Sequence, residues 1–133
     1  MRLSKKSQYA CLALIDLAEH GDRGYVKTAD IAKRKKIPLK FLEQIFLPLK
    51  QAGYVRSARG AGGGHALAKP ADQISVAEIL RLFDGPLAAV QSVSKHFYEH
   101  TPIERAPKLL GVFMDIRDYV AHKMETTRIS DLI

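Results

Sequence analysis

Residues 28–55 read TADIAKRKKIPLKFLEQIFLPLKQAGYV, and this stretch predicts two short helices joined by a tight turn. Thr28 is the expected N-cap of the first helix, and Asp30 places a carboxylate in its first turn, where it suits the helix dipole. The helix should end near Lys36, because residues preceding Pro38 are pushed out of the α region.

The second helix is predicted from about Leu39 to Ala52, where Gly53 stops it. Pro48 lies inside this helix, lacks the N–H that would bond the Gln44 carbonyl, and should bend it. The other apolar residues recur at helical spacing and define a buried face. Two such helices are typical of a helix-turn-helix. The buried face comprises Phe41, Leu42, Ile45, Phe46 and Leu49.

A glycine-rich hairpin should follow this pair of helices directly. Tyr54 to Ser57 and His65 to Ala68 are predicted strands, and the segment between them, Ala58 to Gly64, holds four glycines. A strand, loop and strand in this position make a wing. The sequence therefore predicts a mainly α fold, a winged helix-turn-helix with a two-stranded wing.

Two further helices flank this unit. The first should run from about Ser4 to Glu19 or His20, with Ser4 as its N-cap and Gly21 in the left-handed conformation just past its end. After the wing, Ser75 and Glu78 form a capping box that opens another helix.

The chain should close with a long helix. It either starts near Thr101 and kinks at Pro107, or begins near Ala106. Apolar residues then repeat every three or four positions, which gives a seam about four turns long. Such a seam packs on its own domain or on a partner chain, and we assign it to the interface of a homodimer. Its members are Leu109, Phe113, Ile116, Val120 and Met124.

The charge of the chain is unevenly distributed over its 133 residues. Residues 1–70 hold 14 Lys and Arg against 5 Asp and Glu, whereas residues 71–133 hold 7 against 9. A basic half favours a polyanionic partner. We divide the chain into a DNA-binding domain over 1–85 and a linker or sensor segment with the dimerisation helix over 86–133, packed as one compact chain.

The compartment is predicted from what the sequence lacks. It has no run of 18 apolar residues and no secretory signal pattern. The single cysteine, Cys11, excludes an intrachain disulfide. We therefore expect a cytoplasmic protein that does not contact the membrane.

Residues 28–69 resemble the signature of the IscR/NsrR/CymR (Rrf-two) family of transcription regulators. The first ten residues and the closing segment 127–133 also fit the family, so the likeness spans nearly the whole chain. The Leu-Glu-Gln and Arg-Gly-x-Gly-Gly-Gly motifs together are a fairly specific signal. The matching stretches are residues 28–33, 41–46, 49–55 and 57–64.

The resemblance implies that the second helix of the pair enters the major groove of DNA and that the wing reaches the adjacent minor groove. Glu43 can accept a hydrogen bond from cytosine, Gln44 can pair with adenine, and Lys40 can contact guanine or phosphate. The plainer alternative is that these are solvated helix residues. The predicted DNA-binding set is Lys5, Lys6, Tyr9, Thr28, Leu39, Lys40, Phe41, Glu43, Gln44, Arg59, Gly60, Gly62 and Gly63.

In the wing, Arg59 can enter a narrow minor groove, and the glycines beside it let the backbone approach the phosphates. A nucleotide-binding loop is disfavoured, because it would need Gly-Lys-Ser/Thr leading into a helix, whereas this loop leads into His65 and a strand. Further phosphate contacts, some of which only solubilise, are expected from Lys5, Lys6, Lys33, Arg34, Lys35, Lys36, Lys50 and Arg56.

The sequence departs from the family pattern in three places, of which Pro48 inside the second helix is one. Pro38 and Lys40 stand where small hydroxyl residues are common, so the operator sequence should differ. Residues 86–107 hold no cysteine, although iron–sulfur members carry three there. We therefore expect a repressor without cofactor that binds a palindromic operator, with its signal supplied by a partner protein or a small-molecule effector.

Two alternatives concern the segment from His96 to His100. It matches the H-x-x-E-H pattern of zinc hydrolases, but the match is short, and a small winged-helix chain has little room for a third ligand and a cleft. We therefore predict no enzyme. His96 and His100 could also make a metal-responsive regulator, against the plainer case of exposed or hydrogen-bonded histidines. RNA is a weaker alternative partner, since the aromatic-rich sheet of single-strand binders is missing.

Overall fold

The computed structural model describes residues 2–21, 24–86 and 102–133. It confirms the mainly α fold with a two-stranded antiparallel wing. Short 3₁₀ turns lie at Ala71–Gln73, Pro102–Arg105 and Ile129–Leu132. In chain order the main elements are α1 (Lys5–Glu19), α2 (Thr28–Lys35), α3 (Leu39–Gln51), β1 (Val55–Ala58), β2 (Gly64–Leu67), α4 (Val76–Asp84) and α5 (Pro107–Thr126).

Helix α1 lies at the centre of the structure. Ser4 caps it as predicted, with its side chain accepting a hydrogen bond from the Ser7 backbone N–H. The prediction for Gly21 is wrong, because His20 ends the helix with φ −117° and the positive φ falls at Gly24 instead. The fully buried core joins α1, α2 and α3 through Leu14, Leu17, Ile31, Leu42, Ile45 and Leu49.

The turn between α2 and α3 depends on a left-handed residue. Helix α2 has Lys35 as its last residue, and Lys36 follows as its C-cap with φ 55° and ψ 46°, close to the predicted end of the helix. The prediction of Thr28 as N-cap is wrong by one residue: Lys27 occupies that position without a side-chain cap, and its carbonyl accepts the first helical bonds. Helix α3 runs through Pro48 to Gln51, and Gly53 follows with φ 84°.

An ion pair with a fully buried carboxylate attaches α2 to α1. The carboxylate of Asp16 is fully buried and receives two hydrogen bonds from Arg34, at 2.9 Å from Nε and 2.8 Å from Nη2, while the Arg34 side chain is itself 37% exposed. The neighbouring Lys35 pairs with Glu19 at 2.7 Å, and both of those side chains are partly exposed. The two pairs therefore hold the same helices and differ in the burial of the carboxylate.

The wing strands are each shifted by one residue from their predicted positions. Val55 pairs with Leu67 and Ala58 with Gly64 in antiparallel register. Val26 also exchanges two backbone hydrogen bonds of 2.8 Å with His65 of β2. The segment before α2 therefore forms an isolated antiparallel bridge with the wing. The wing is thus tied to the start of the helix-turn-helix.

The side chain of His65 fixes the wing to α3. Its ring stacks on Phe46, with 3.8 Å between centroids and 6° between planes. Its Nδ1 shares a hydrogen bond of 2.9 Å with the Ser57 Oγ of the opposite strand. Burial, and secondly the positive charge of Lys50, lower the pKa of the imidazole, so its neutral form is favoured in the folded wing.

Helix α4 opens with the predicted capping box of Ser75 and Glu78. The Glu78 carboxylate also accepts a hydrogen bond of 3.2 Å from the Tyr54 hydroxyl at the base of the wing. Burial alone would raise the pKa of Glu78, but the hydrogen bonds from Ser75 and Tyr54 outweigh it and lower the pKa. The wing base and α4 are therefore joined through a charged carboxylate.

Helix α5 begins at Pro107, after Ala106, as the second of the two predicted alternatives has it. After it, the Val76 N–H bonds the Thr127 carbonyl, and Ile129 is fully buried in the main core. The closing residues thus pack with the part of the chain assigned to the DNA-binding domain. The boundary between residues 85 and 86 stays a prediction.

We predict that the Asp16–Arg34 pair contributes far more stability than its exposed neighbour. Arg34→Met removes two hydrogen bonds from a buried carboxylate and should cost about 1.5–3 kcal/mol of unfolding free energy, because the Arg34 side chain is itself partly exposed. Lys35→Met removes the same charge from the exposed pair and should cost about 0–1 kcal/mol. Urea denaturation measures both, and equal costs would contradict this assignment.

We also predict a pH dependence from His65. The pKa of His65 in the folded protein lies below its ordinary value of about 6.5. The contribution of the neutral imidazole to stability is therefore complete above about pH 6.5 and is lost as the pH falls through the folded-state pKa. Unfolding free energy should therefore decrease from about pH 7.5 to about pH 5.5. His65→Phe keeps a ring on Phe46 and should flatten this slope, whereas His122→Phe, on exposed α5, should not. Identical slopes for all three proteins would refute the prediction.

Candidate DNA interface

Helix α3 presents a polar face opposite its buried one. Leu42, Ile45 and Leu49 are fully buried, while Lys40, Glu43 and Gln44 are exposed, as is Leu39 at the first turn. The predicted base-reading residues therefore lie on the accessible side of the helix. Their role in contacting bases stays a prediction.

A shallow groove brings this face of α3 next to the wing. One wall is formed by α3 and the other by the wing strands, with Thr28 of α2 contributing. Helix and hairpin are thus neighbours on one accessible surface, which is the arrangement that the DNA-binding hypothesis requires. The residues lining the groove are Thr28, Glu43, Phe46, Leu47, Lys50, Ser57 and His65.

The glycines of the wing loop have two different structural roles. Gly60 has φ 94°, and neither it nor Gly62 has an atom within 4 Å of where a Cβ would lie, so both leave open space beside the exposed Arg59. Gly63 is buried, and a Cβ there would overlap the Ala58 carbonyl. A side chain there would prevent the loop from closing on itself, and the phosphate contact predicted for Gly63 stays a prediction.

The start of α1 is held by a residue from the far end of α4. Asp84 Oδ2 accepts hydrogen bonds from the Ser4 N–H at 2.9 Å and from the Ser7 hydroxyl at 2.6 Å. Burial alone would raise the pKa of Asp84, but the bonds from Ser4 and Ser7 prevail and lower it. This anchor orients the first turn, on which Lys5 and Lys6 are exposed.

Tyr9 and Phe41 are only partly exposed. Their rings pack edge to face, with centroids 5.5 Å apart and planes at 76°, and join α1 to the first turn of α3. Both also pack against the main core. Their predicted contact with DNA is therefore limited to their outer edges.

Some of the side chains predicted to contact phosphates already contact other residues of this chain. Arg34 and Lys35 are already paired with carboxylates of α1. Arg56 lies over the Tyr25 ring, 5.7 Å from its centroid. The exposed lysines in the set are Lys5, Lys6, Lys33, Lys36 and Lys50.

The apolar seam of α5 is divided between two environments. Val120 and Met124 pack against Ala77 and Leu80 of α4, so these two predicted dimer contacts lie within the chain's own small cluster. Leu109 and Ile116 are 46% and 44% exposed, and Phe113 is partly exposed. Two residues that the prediction omitted, Val112 and Tyr119, are exposed by 52% and 73%.

Metal binding has no support in the described ranges. Residues 2–21, 24–86 and 102–133 contain no group of three or more His, Cys, Asp or Glu that could hold a metal ion. Burial, and secondly Asp84, raise the pKa of the Cys11 thiol to about 11, which disfavours the thiolate that iron requires. His96 and His100 lie outside the described residues.

Leu47, Ser57 and His65 line the groove but were given no role in the predicted site. Leu47 lies on the exposed side of α3, and its displacement from the spacing of the buried face was the available signal. His65 was treated only as a strand residue, because nothing local indicates that its ring meets Phe46.

Among the described helices, none combines the length and apolar character needed to cross a membrane.

Comparison with known proteins identifies relatives along the whole chain. The family model described as "Rrf2: Iron-dependent Transcriptional regulator" matches residues 3–133. An HTH-type transcriptional regulator of Mycobacterium tuberculosis is 36% identical over 132 residues, 99% of this chain and 81% of the relative. IscR of Photorhabdus laumondii is 44% identical over 91 residues, 68% of this chain and 56% of the relative.

Solved structures give the same result. CymR of B. subtilis, titled the global cysteine regulator of that organism, superposes with a TM-score of 0.81 at 30% identity, covering 99% of this chain and 95% of that one. IscR of T. potens gives 0.70 at 26% identity, covering 99% and 85%. The winged helix-turn-helix, its exposed helix and wing, and a family match over residues 3–133 lead to one conclusion: the chain belongs to the Rrf2 family of bacterial DNA-binding transcription regulators.

Proposed function

We propose that this regulator is a homodimeric repressor that binds a palindromic operator, with α3 in the major groove and the wing in the adjacent minor groove. The observation that carries the proposal is the shared groove, in which Glu43 and Lys50 of α3 face Ser57 and His65 of the wing. A helix and a hairpin held side by side are two elements that can enter neighbouring grooves of DNA together.

The residues on this surface suit base and phosphate chemistry. Glu43 and Gln44 present an acceptor and an amide to base edges in the major groove. Arg59, exposed at the start of the wing loop, carries a planar guanidinium that suits a narrow minor groove. Lys5 and Lys6, on the turn anchored by Asp84, supply charge to the backbone.

The exposed face of α5 supports dimerisation. Leu109, Val112, Ile116 and Tyr119 are spaced by three, four and three residues, which places them on one side of the helix. A contiguous apolar stripe of this length is unfavourable in water and is typical of an interface between helices. Pairing two copies through α5 would present two recognition helices to one duplex.

Iron–sulfur chemistry does not fit the donor set of this chain. The family's three-cysteine ligand set cannot come from a chain with one cysteine, and the raised pKa of Cys11 keeps that thiol protonated. We therefore propose that the chain works without a cluster and takes its signal from an effector or a partner protein. The relatives are named as regulators, and we assign no enzymatic activity.

The DNA-binding proposal is tested by selecting duplexes from randomised DNA and titrating the selected operator by fluorescence anisotropy. If the dimer neutralises about 6–10 phosphates, affinity should fall about 10³–10⁵-fold between about 50 and 200 mM salt. Single strands of the same sequence should compete poorly. A flat salt response, or equal competition by single strands, would exclude this mode of binding.

The wing contact is tested in the same titration. Arg59→Ala should cost about 1–3 kcal/mol of binding free energy, because it removes the guanidinium from the minor groove. Arg105→Ala, an exposed arginine before α5, is the matched control and should change binding by no more than about 0.5 kcal/mol. Wild-type affinity in the Arg59 variant would show that the wing does not contact the operator.

The dimer proposal predicts that Ile116→Asp yields monomers in sedimentation velocity, because an unpaired carboxylate would be buried in the interface. Operator affinity should fall at least about tenfold, since two half-sites about 34–36 Å apart can no longer be bound by one particle. Met114→Asp is the matched control: Met114 is 40% exposed and lies two residues from Ile116, on another face of the helix, so this variant should remain dimeric. A dimeric Ile116 variant would place the interface elsewhere.

A further inference from the structure

Leu47 differs from the other leucines in the middle of α3. Leu42 and Leu49 are fully buried, whereas Leu47 is 59% exposed. One exposed leucine on a protein surface is ordinary. This one, however, lines the groove between α3 and the wing, together with Glu43 and Lys50. It is an apolar side chain on the surface that we assign to DNA.

The helix geometry places Leu47 within the reach of the major groove. Lys40, Glu43 and Leu47 follow one another at spacings of three and four residues, so they share one face of α3. Leu47 lies about 6 Å along the helix axis from Glu43, one turn further along the face that we assign to the major groove. If Glu43 reads one base pair, Leu47 therefore faces a position about one or two base pairs away, at about 3.4 Å each.

The chemistry of the base edges then restricts what Leu47 can contact. In the major groove, the edges of guanine, cytosine and adenine present hydrogen-bonding groups, whereas thymine adds a 5-methyl group. Covering a polar edge with leucine removes water from donors or acceptors without replacing their hydrogen bonds, which is costly. Covering a methyl group removes apolar surface from water on both sides, which is favourable.

We infer that Leu47 is a specificity-determining residue, which selects a thymine at one position of each operator half-site through the 5-methyl group of that base. This inference rests on the proposed function, because it requires α3 to lie in the major groove. It adds an apolar contact to the polar readout assigned to Lys40, Glu43 and Gln44.

The test compares operators with and without the methyl group. Duplexes selected by the wild-type protein should show one thymine per half-site whose preference disappears when Leu47→Ala performs the selection. Replacing that thymine with deoxyuridine removes only the methyl group. Wild-type affinity should then fall about fourfold, the equivalent of one buried methyl group, whereas Leu47→Ala should bind both duplexes equally.

Leu82→Ala is the matched control, since Leu82 is a partly exposed leucine on α4. It should keep the thymine preference and the deoxyuridine effect. If the wild type is indifferent to deoxyuridine at every thymine, or if Leu47→Ala is equally sensitive, the inference is wrong while DNA binding stands. If the wild type enriches no sequence at all, the proposed function fails and the inference fails with it.

Discussion

The burial of one side of α3 against α1 determines what this helix can offer to DNA. Leu42, Ile45 and Leu49 are fully buried with Leu14 and Leu17 of α1. Each such side chain contributes about 1.5–3 kcal/mol when removed from water, so turning α3 about its axis would forfeit most of the core. The rotation of the helix is therefore fixed, and it exposes the row that contains Lys40, Glu43 and Leu47.

The wing is positioned by contacts on both sides. Val26 pairs with His65 through the backbone, and the His65 ring stacks on Phe46 of α3. Gly64 permits the first contact, because a Cβ there would overlap the Val26 carbonyl. The hairpin is thus attached to the segment that precedes α2 and to α3, while the loop around Arg59 remains accessible. A rigid base and an open tip suit an element that must reach into a groove.

Helix α5 packs against the rest of the chain on one side and is exposed on the other. Ala121 is buried, and Val120 and Met124 pack on α4. Helix α4 in turn reaches the wing base through Glu78 and the start of α1 through Asp84. Helix α5 is therefore connected through α4 to the wing base and to the first turn of α1.

Local signals in the sequence were enough to locate the helix-turn-helix, the wing and the capping box of α4, whereas they left two possible starts for α5. Helical periodicity, proline and glycine act within a few residues, and for that reason these elements were predicted to within about one or two residues. The errors at Thr28 and Gly21 concern helix ends, whose positions are defined only to within one or two residues. Contacts between distant residues were beyond such signals. The Asp84 carboxylate bonds Ser4, which lies 80 positions earlier in the chain, and the His65 ring stacks on Phe46. On α5, Val120 packs against α4 whereas Ile116 is exposed. Periodicity shows which side chains are apolar, but which of them are covered depends on how the folded elements pack together.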